Sequence, residues 1–237
     1  MQEPLVFLPG MMCDARLFAR QLVDLGRDHV VSVAPLTGGE RIEDIAGAIL
    51  TALPERFALA GLSMGGIVAM ELMRRVPEKI TRLALMDTNA LAETPAGAAA
   101  LEPLIIGAKA GKLDETMRKL VQPEHLAPGP GRLAVMNELL QMAQSLGPEV
   151  FVNQARALQR RRDQQATLRK VKCPTLVLCG EHDGLTPIKR HAFMADLIPY
   201  AELKVIPDAG HLPTLEQPDR VSAALRDWMK QPLVLRS

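Results

Sequence analysis

Six short apolar runs punctuate the chain, at Leu5–Leu8, Val30–Ala34, Phe57–Ala60, Leu83–Met86, Thr175–Cys179 and Leu203–Ile206. Each is bounded by turn residues and followed by a segment with helical spacing, which predicts strands alternating with helices. Continuous apolar strands need cover on both faces, so the pattern implies a doubly wound, mainly parallel sheet whose ligands collect at the carboxyl ends of the strands. Ser63, Asp87, Asp183 and His211 all follow predicted strand ends.

From about Leu91 to Lys170 the rhythm changes: four helical patterns and no strand. Leu101, Leu104, Ile105 and Ala108 make one apolar face, and Met117, Leu120 and Val121 a second. Leu133, Met136, Leu140 and Ala143 make a third, and Phe151, Ala155 and Leu158 the last. Thr94-Pro95 suits a helix start, Gly111 a helix end, and Pro128-Gly129-Pro130-Gly131 a break. The expected organisation is one structural unit: a core of residues 1–90 and 171–237, with 91–170 inserted as a helical cap over the site; helices packed on the sheet edge are the plainer alternative. Pro232 is expected to end the last helix, with Leu233-Val234-Leu235 packing on the body.

Composition narrows the partners. At 237 residues the chain is long enough to bury roughly 70 to 75% of its unfolded surface. Lys+Arg 28 against Asp+Glu 27 leaves no field to attract nucleic acid or an anionic membrane. No apolar run approaches the roughly 18 residues that span a bilayer. Cys13, Cys173 and Cys179 are odd in number and lack metal-ligand spacing, and Leu5–Leu8 is too short for a signal core, so a cytoplasmic location is expected. Cys13 is expected to be a small buried residue near the site, and Cys173 and Cys179 to be core positions within a strand. Aromatics are only 3% but methionines number 12, which points to a pocket lined by adaptable aliphatic and thioether groups.

The chemistry centres on Gly61-Leu62-Ser63-Met64-Gly65, a Gly-x-Ser-x-Gly sequence between an apolar strand and the helical run from Gly66 to Arg75. That context places Ser63 on a tight strand-to-helix turn with its hydroxyl in the open. A serine hydroxyl becomes a useful nucleophile when an imidazole takes its proton and a carboxylate fixes the imidazole's tautomer. His211, in Asp208-Ala209-Gly210-His211-Leu212-Pro213, follows the last strand, with Gly210 expected to allow the bend that turns the ring inward. His29, His125 and His191 lie before a strand or in helical patterns, and His182 is expected on a loop surface.

Asp183, on the loop after the fifth strand, is the first choice of acid, and Ser63, Asp183, His211 is the chain order this architecture expects. Asp87 is the alternative acid; its other reading is a turn acceptor for the Thr88 and Asn89 backbone. Backbone N–H groups of Met11 and Met64 are expected to bind the oxyanion, Gly10 supplying the bend, with Met12 and Leu212 as pocket residues. Arg156, Arg160 to Arg162 and Lys109 would bind an acidic group only if they point inward; helix-surface charge is their usual role.

Gly61-Leu62-Ser63-Met64-Gly65-Gly66, the strand Pro174–Gly180 leading to Asp183, and Gly210-His211 before Leu215-Glu216-Gln217-Pro218 together resemble the α/β-hydrolase superfamily. The resemblance covers nearly all of the chain outside the insertion and implies a sheet of about six strands, a helical lid and no cofactor. Pro9-Gly10 stands where many relatives have His-Gly. The expected activity is hydrolysis of a small carboxylic ester, or a thioester or lactone, by an acyl-enzyme route without a metal. Carbon–carbon bond hydrolysis, acyl transfer, a lyase step like that of menaquinone biosynthesis, and a non-catalytic ligand-binding role remain alternatives on the same fold.

Overall fold

The computed structural model describes residues 3–233. In chain order the elements are β1 (Leu5–Leu8), α1 (Ala19–Leu25), β2 (Val31–Val33), α2 (Ile42–Leu50), β3 (Phe57–Leu62), α3 (Met64–Arg75), β4 (Ile80–Met86), α4 (Pro95–Lys109), α5 (Leu113–Leu120), α6 (Arg132–Gln159), α7 (Gln165–Leu168), β5 (Thr175–Gly180), α8 (Ile188–Leu197), β6 (Ala201–Ile206), α9 (Pro213–Glu216) and α10 (Pro218–Met229).

The six strands form one sheet in the order β2-β1-β3-β4-β5-β6, every neighbouring pair parallel. The four central strands are almost wholly buried, as continuous apolar runs require; the outer strands β2 and β6 are half-buried, and in β6 inward and outward residues alternate. Val30 lies just outside β2 and is 68% exposed. One helical layer joins α2, α3, α7 and α8, and α1 packs on α10 in the other. The chain moves from β1 outward to β2 and then returns to β3 on the other side of β1. That reversal makes a crevice at the carboxyl ends of β1 and β3, where ligands of such sheets bind.

Between β4 and β5 all regular structure is helical. Thr94 caps α4 by accepting the Gly97 N–H at 3.0 Å, with Pro95 in its first turn, and Gly111 follows the helix with φ +79. The third and fourth predicted helices are one element, α6, broken at Gly147 (φ 83, ψ 170) just before Pro148. Leu133 does not belong to the buried face: it is 75% exposed, and Val135 and Leu139 take that side with Met136 and Leu140. Gln164 ties the end of this helical segment to the rest of the fold, its N–H donating to Ala90 O, past the end of β4, and its side-chain amide to Glu71 of α3. At the other end of the chain Leu233 is 49% exposed rather than packed, and Val234 and Leu235 lie outside the described residues.

Candidate active site

Ser63 is the residue between β3 and α3, held at φ 54, ψ −116, a backbone region that costs energy for any residue with a Cβ. Packing enforces it. A Cβ on Gly65 would lie 2.0 Å from the Leu8 carbonyl oxygen, so only glycine lets the first turn of α3 close onto β1. The Ser63 N–H donates to Met86 O at 2.8 Å, and its carbonyl accepts the Thr88 hydroxyl at 2.7 Å. The strained turn is thus braced by the end of β4.

His211 Nε2 is 3.0 Å from Ser63 Oγ, and His211 Nδ1 is 2.9 Å from Asp183 Oδ2. Asp183 Oδ1 accepts the N–H groups of Leu185 (2.8 Å) and Thr186 (2.9 Å), and Oδ2 also accepts the Thr186 hydroxyl. Burial alone would raise the Asp183 carboxyl; the neighbouring His211 and the Thr186 donors outweigh it and hold the group well below the usual carboxylate range.

The bend before His211 is made at Asp208 (φ 57), not at Gly210. Gly210 serves close approach instead: a Cβ there would lie 2.4 Å from Leu126 Cα. The loop is fastened by two groups that local sequence reasoning did not find. Glu216 accepts the N–H groups of Gly210 and Leu212, each at 3.0 Å, together with that of Ala127 at 2.6 Å. The carbonyl of His125 accepts the His211 N–H at 2.8 Å. The available signal was a glutamate five residues after the histidine, reaching back to N–H groups ahead of α9 much as a capping-box glutamate does.

Neither Met11 nor Met64 donates its N–H to an acceptor among the described residues. Met64 opens the twelve-residue α3, whose dipole adds positive potential at that point. Gly10 lies against Ser63, its Cβ position 3.5 Å from Ser63 Cβ. The turn falls at Met12 (φ 55) rather than at Gly10. Met12 is therefore not a pocket residue: its side chain is fully buried away from the cavity, and its N–H donates to Gln154 Oε1 at 2.8 Å. Gln154, buried on α6, also donates to Leu36 O at 2.8 Å, so α6 ties together the loops after β1 and β2. Leu212 does line the cavity.

Asp87 stands at the end of β4, fully buried, with φ 43. His211 pairs with Asp183 and not with Asp87. Nor does Asp87 hold the Thr88 or Asn89 backbone: its Oδ1 accepts the Gly180 N–H at 2.8 Å, while the Thr88 N–H donates to His191 Nε2 at 3.0 Å. Burial pushes the His191 ring down to about 4, so it accepts as a neutral imidazole. Asp87 Oδ2 has no partner among the described residues, and ligand atoms of Asp87, Asp183 and His211 lie within 4.8 Å of one another. Asp183 and His211 spend those atoms on each other, so Asp87 stands beside a hydrogen-bonded pair and is not part of it.

Burial first, then the charge of Asp183, pushes the Asp87 carboxyl well above its ordinary value, with Glu216 adding to it. The folded state thus keeps a proton that the unfolded chain loses near pH ~3.9. Stability from Asp87 is full below that value and declines as pH rises towards the folded group's ionisation. Asp183, held low, acts oppositely, its contribution being lost on acidification. Asp87→Asn keeps an acceptor for Gly180 and has no proton to lose. The variant is expected to gain on the wild type by up to about 1.4 kcal/mol per pH unit across that window. Paired thermal midpoints between about pH 5 and about pH 8 read the gain, and parallel curves would mean that Asp87 is ionised in the fold.

Ser63, His211, Met11 and Met64 open on a cavity of about 600 Å³, which Leu101, Leu120, Val121, Leu139 and Leu158, all from the segment between β4 and β5, wall with apolar surface. Cys13 is buried at its edge, and burial together with Asp14 raises its thiol, leaving it un-ionised. Cys173 lies just before β5 and is only half-buried, unlike Cys179 within the strand. His182 and Glu181 are exposed loop residues. No helix among the described residues is long and apolar enough to cross a membrane.

The sequence profile of the alpha/beta hydrolase family matches residues 5–224. Among characterised proteins, a pimeloyl-[acyl-carrier protein] methyl ester esterase of Aromatoleum aromaticum is 29% identical over 211 residues, 81% of each chain. An esterase of the same name from Vibrio parahaemolyticus is 23% identical, covering 94% of this chain and 93% of its own. Among solved structures, a thermophilic esterase from Thermogutta terrifontis, with malate bound, superposes with a TM-score of 0.87 at 28% identity, over 97% of this chain and 90% of that one. An enol-lactonase from Burkholderia xenovorans shares the fold at 0.85 and 21% identity, over 98% and 92%.

Proposed function

The chain belongs to the alpha/beta hydrolase family, and on that premise we propose that it is a serine esterase in which Ser63, His211 and Asp183 cleave a small carboxylic ester. The observation that carries this reading is the continuous path Ser63 Oγ, His211 Nε2, His211 Nδ1, Asp183 Oδ2, with contacts of 3.0 and 2.9 Å, opening on an apolar cavity. Ser63 Oγ attacks the ester carbonyl while His211 Nε2 takes its proton, and Asp183 holds the imidazole and balances its charge. The free N–H groups of Met11 and Met64 receive the negative oxygen. Collapse expels the alcohol, protonated by His211; water, deprotonated by the same nitrogen, then releases the acid and restores Ser63.

The helical insertion acts as a cap, since its leucines wall the cavity and its Gln154 and His125 fix the loops that carry Met11 and His211. A cavity of about 600 Å³ suits a medium-length acyl group. The esterases that the chain resembles are named for methyl esters of an acyl chain on a carrier protein, which supports a simple alkyl ester as the scissile group. Three free cysteines support a reducing, cytoplasmic setting.

The test is labelling by a fluorophosphonate with mass-spectrometric mapping, alongside turnover of p-nitrophenyl esters of graded acyl length. Label at Ser63 with length-dependent turnover is expected. A folded protein that takes no label and turns over none of the esters would move the assignment to a specialised or ligand-binding role.

A further inference from the structure

The cavity's charged wall is unbalanced. Besides the buried Asp87 at its floor, whose carboxyl burial holds well above the ordinary range, it carries Arg161, Lys189 and Arg190 against one further carboxylate, Glu93, among the described residues. Glu93 is already engaged, accepting from Arg161 Nη2 at 3.1 Å and from the Thr94 N–H at 2.9 Å. Arg161, just past the end of α6, is not a surface charge: its side chain is 14% exposed, and its Nε is buried without an acceptor among the described residues. Arg190, in the first turn of α8, has no carboxylate within ion-pairing distance there.

An unpaired buried guanidinium N–H costs free energy that an incoming acceptor recovers. Two guanidinia near each other repel until an anion lies between them, and Arg190 adds to burial in lowering the proton affinity of Arg161. Since Glu93 neutralises only one of the three cations, the wall keeps an excess of positive charge that favours an anionic group on the ligand. The planar fork of a guanidinium fits a carboxylate through paired N–H donors. Ser63 and the two arginines line one continuous cavity, whose wall includes the apolar side chains of Leu101, Leu120, Val121, Leu139 and Leu158.

We propose that Arg161 and Arg190 form a carboxylate subsite within the acyl cavity, so that preferred substrates are esters carrying a second, ionised carboxyl group, such as the alkyl hemiesters of aliphatic dicarboxylic acids. The assignment rests on the esterase reading of Ser63 for its turnover arm and is independent of it for its binding arm.

The turnover arm compares methyl hemiesters from succinate to suberate with the matching dimethyl diesters. At the length that spans the cavity, kcat/KM for the hemiester is expected to exceed that for the diester by on the order of ten- to a hundredfold. Arg190→Gln and Arg161→Gln each bring that ratio towards one through KM, and Arg190→Lys keeps part of it. Arg190 has no ion-pair partner within the described protein, so its variant reads the subsite even if Arg161→Gln disturbs the contact with Glu93. A ratio near or below one at every length, or a ratio that survives both Gln variants, overturns the proposal.

The binding arm measures, by calorimetry, the same hemiesters against the Ser63→Ala protein with and without Arg190→Gln. Binding weakened roughly tenfold by the second substitution supports the subsite. Binding indifferent to it, or absent up to millimolar concentration, overturns it. Arg190-dependent binding in a protein that hydrolyses no ester would leave the subsite standing and remove the esterase reading instead.

Discussion

Ser63→Ala is expected to lower kcat on an activated ester by about 10⁴ or more while leaving the fold intact. The Ser63 hydroxyl has one partner, His211 Nε2, and lines the cavity, so its removal strands no buried polar atom: His211 Nε2 can turn to water. The strain at φ 54 is shared by alanine, and the N–H to Met86 is untouched, so the thermal midpoint should stay within a few degrees. What remains is catalysis by the two free N–H groups and by substrate binding. The check is kcat beside a melting curve. A variant with kcat within tenfold of the wild type and an unchanged melt would remove Ser63 as nucleophile.

Asp183→Asn is the second large effect, and it separates the two candidate carboxylates. Oδ1 of residue 183 is fixed as an acceptor by the N–H groups of Leu185 and Thr186, so an asparagine must place its NH₂ where Oδ2 now faces His211 Nδ1. A donor at that point forces the imidazole proton onto Nε2, the nitrogen that has to receive the Ser63 proton. A loss of about 10⁴ in kcat with little change in KM is expected, as wrong-tautomer substitutions produce in triads of this kind. Asp87→Asn leaves the Asp183–His211 pair in place and should cost far less. The reverse ranking, with Asp87→Asn crippling and Asp183→Asn mild, would reassign the acid.

Much of this architecture is legible in local sequence. The four central strands are continuous apolar runs because helices cover both faces, and Gly61-Leu62-Ser63-Met64-Gly65 reads as a turn because only glycines tolerate the approach of Gly65 to Leu8. The outer strands were blurred at their ends: exposed Val30 counts as apolar in a sequence window whichever way it points. Leu133 misled for a similar reason, since leucine at helical spacing also occurs on exposed faces, and only packing shows that Val135 and Leu139 take the inner side. Met12, which the sequence places in the pocket, has a positive φ and a side chain buried in the core.

The sequence by itself determined the alternating strands and helices, the glycine-flanked serine turn and the order in which Ser63, Asp183 and His211 come, because each rests on short-range periodicity or a few adjacent residues. Chain order favoured Asp183 over Asp87 as the acid, and the tertiary structure shows what faces each: His211 meets Asp183, and Asp87 accepts the Gly180 N–H. Only the tertiary structure showed that Gln154 anchors the loop at Met12, 142 residues away, that Glu216 and His125 fasten the histidine loop, and that Arg161 turns inward. Such pairings join elements distant along the chain, and no local pattern of side chains encodes which distant polar group will be buried opposite them.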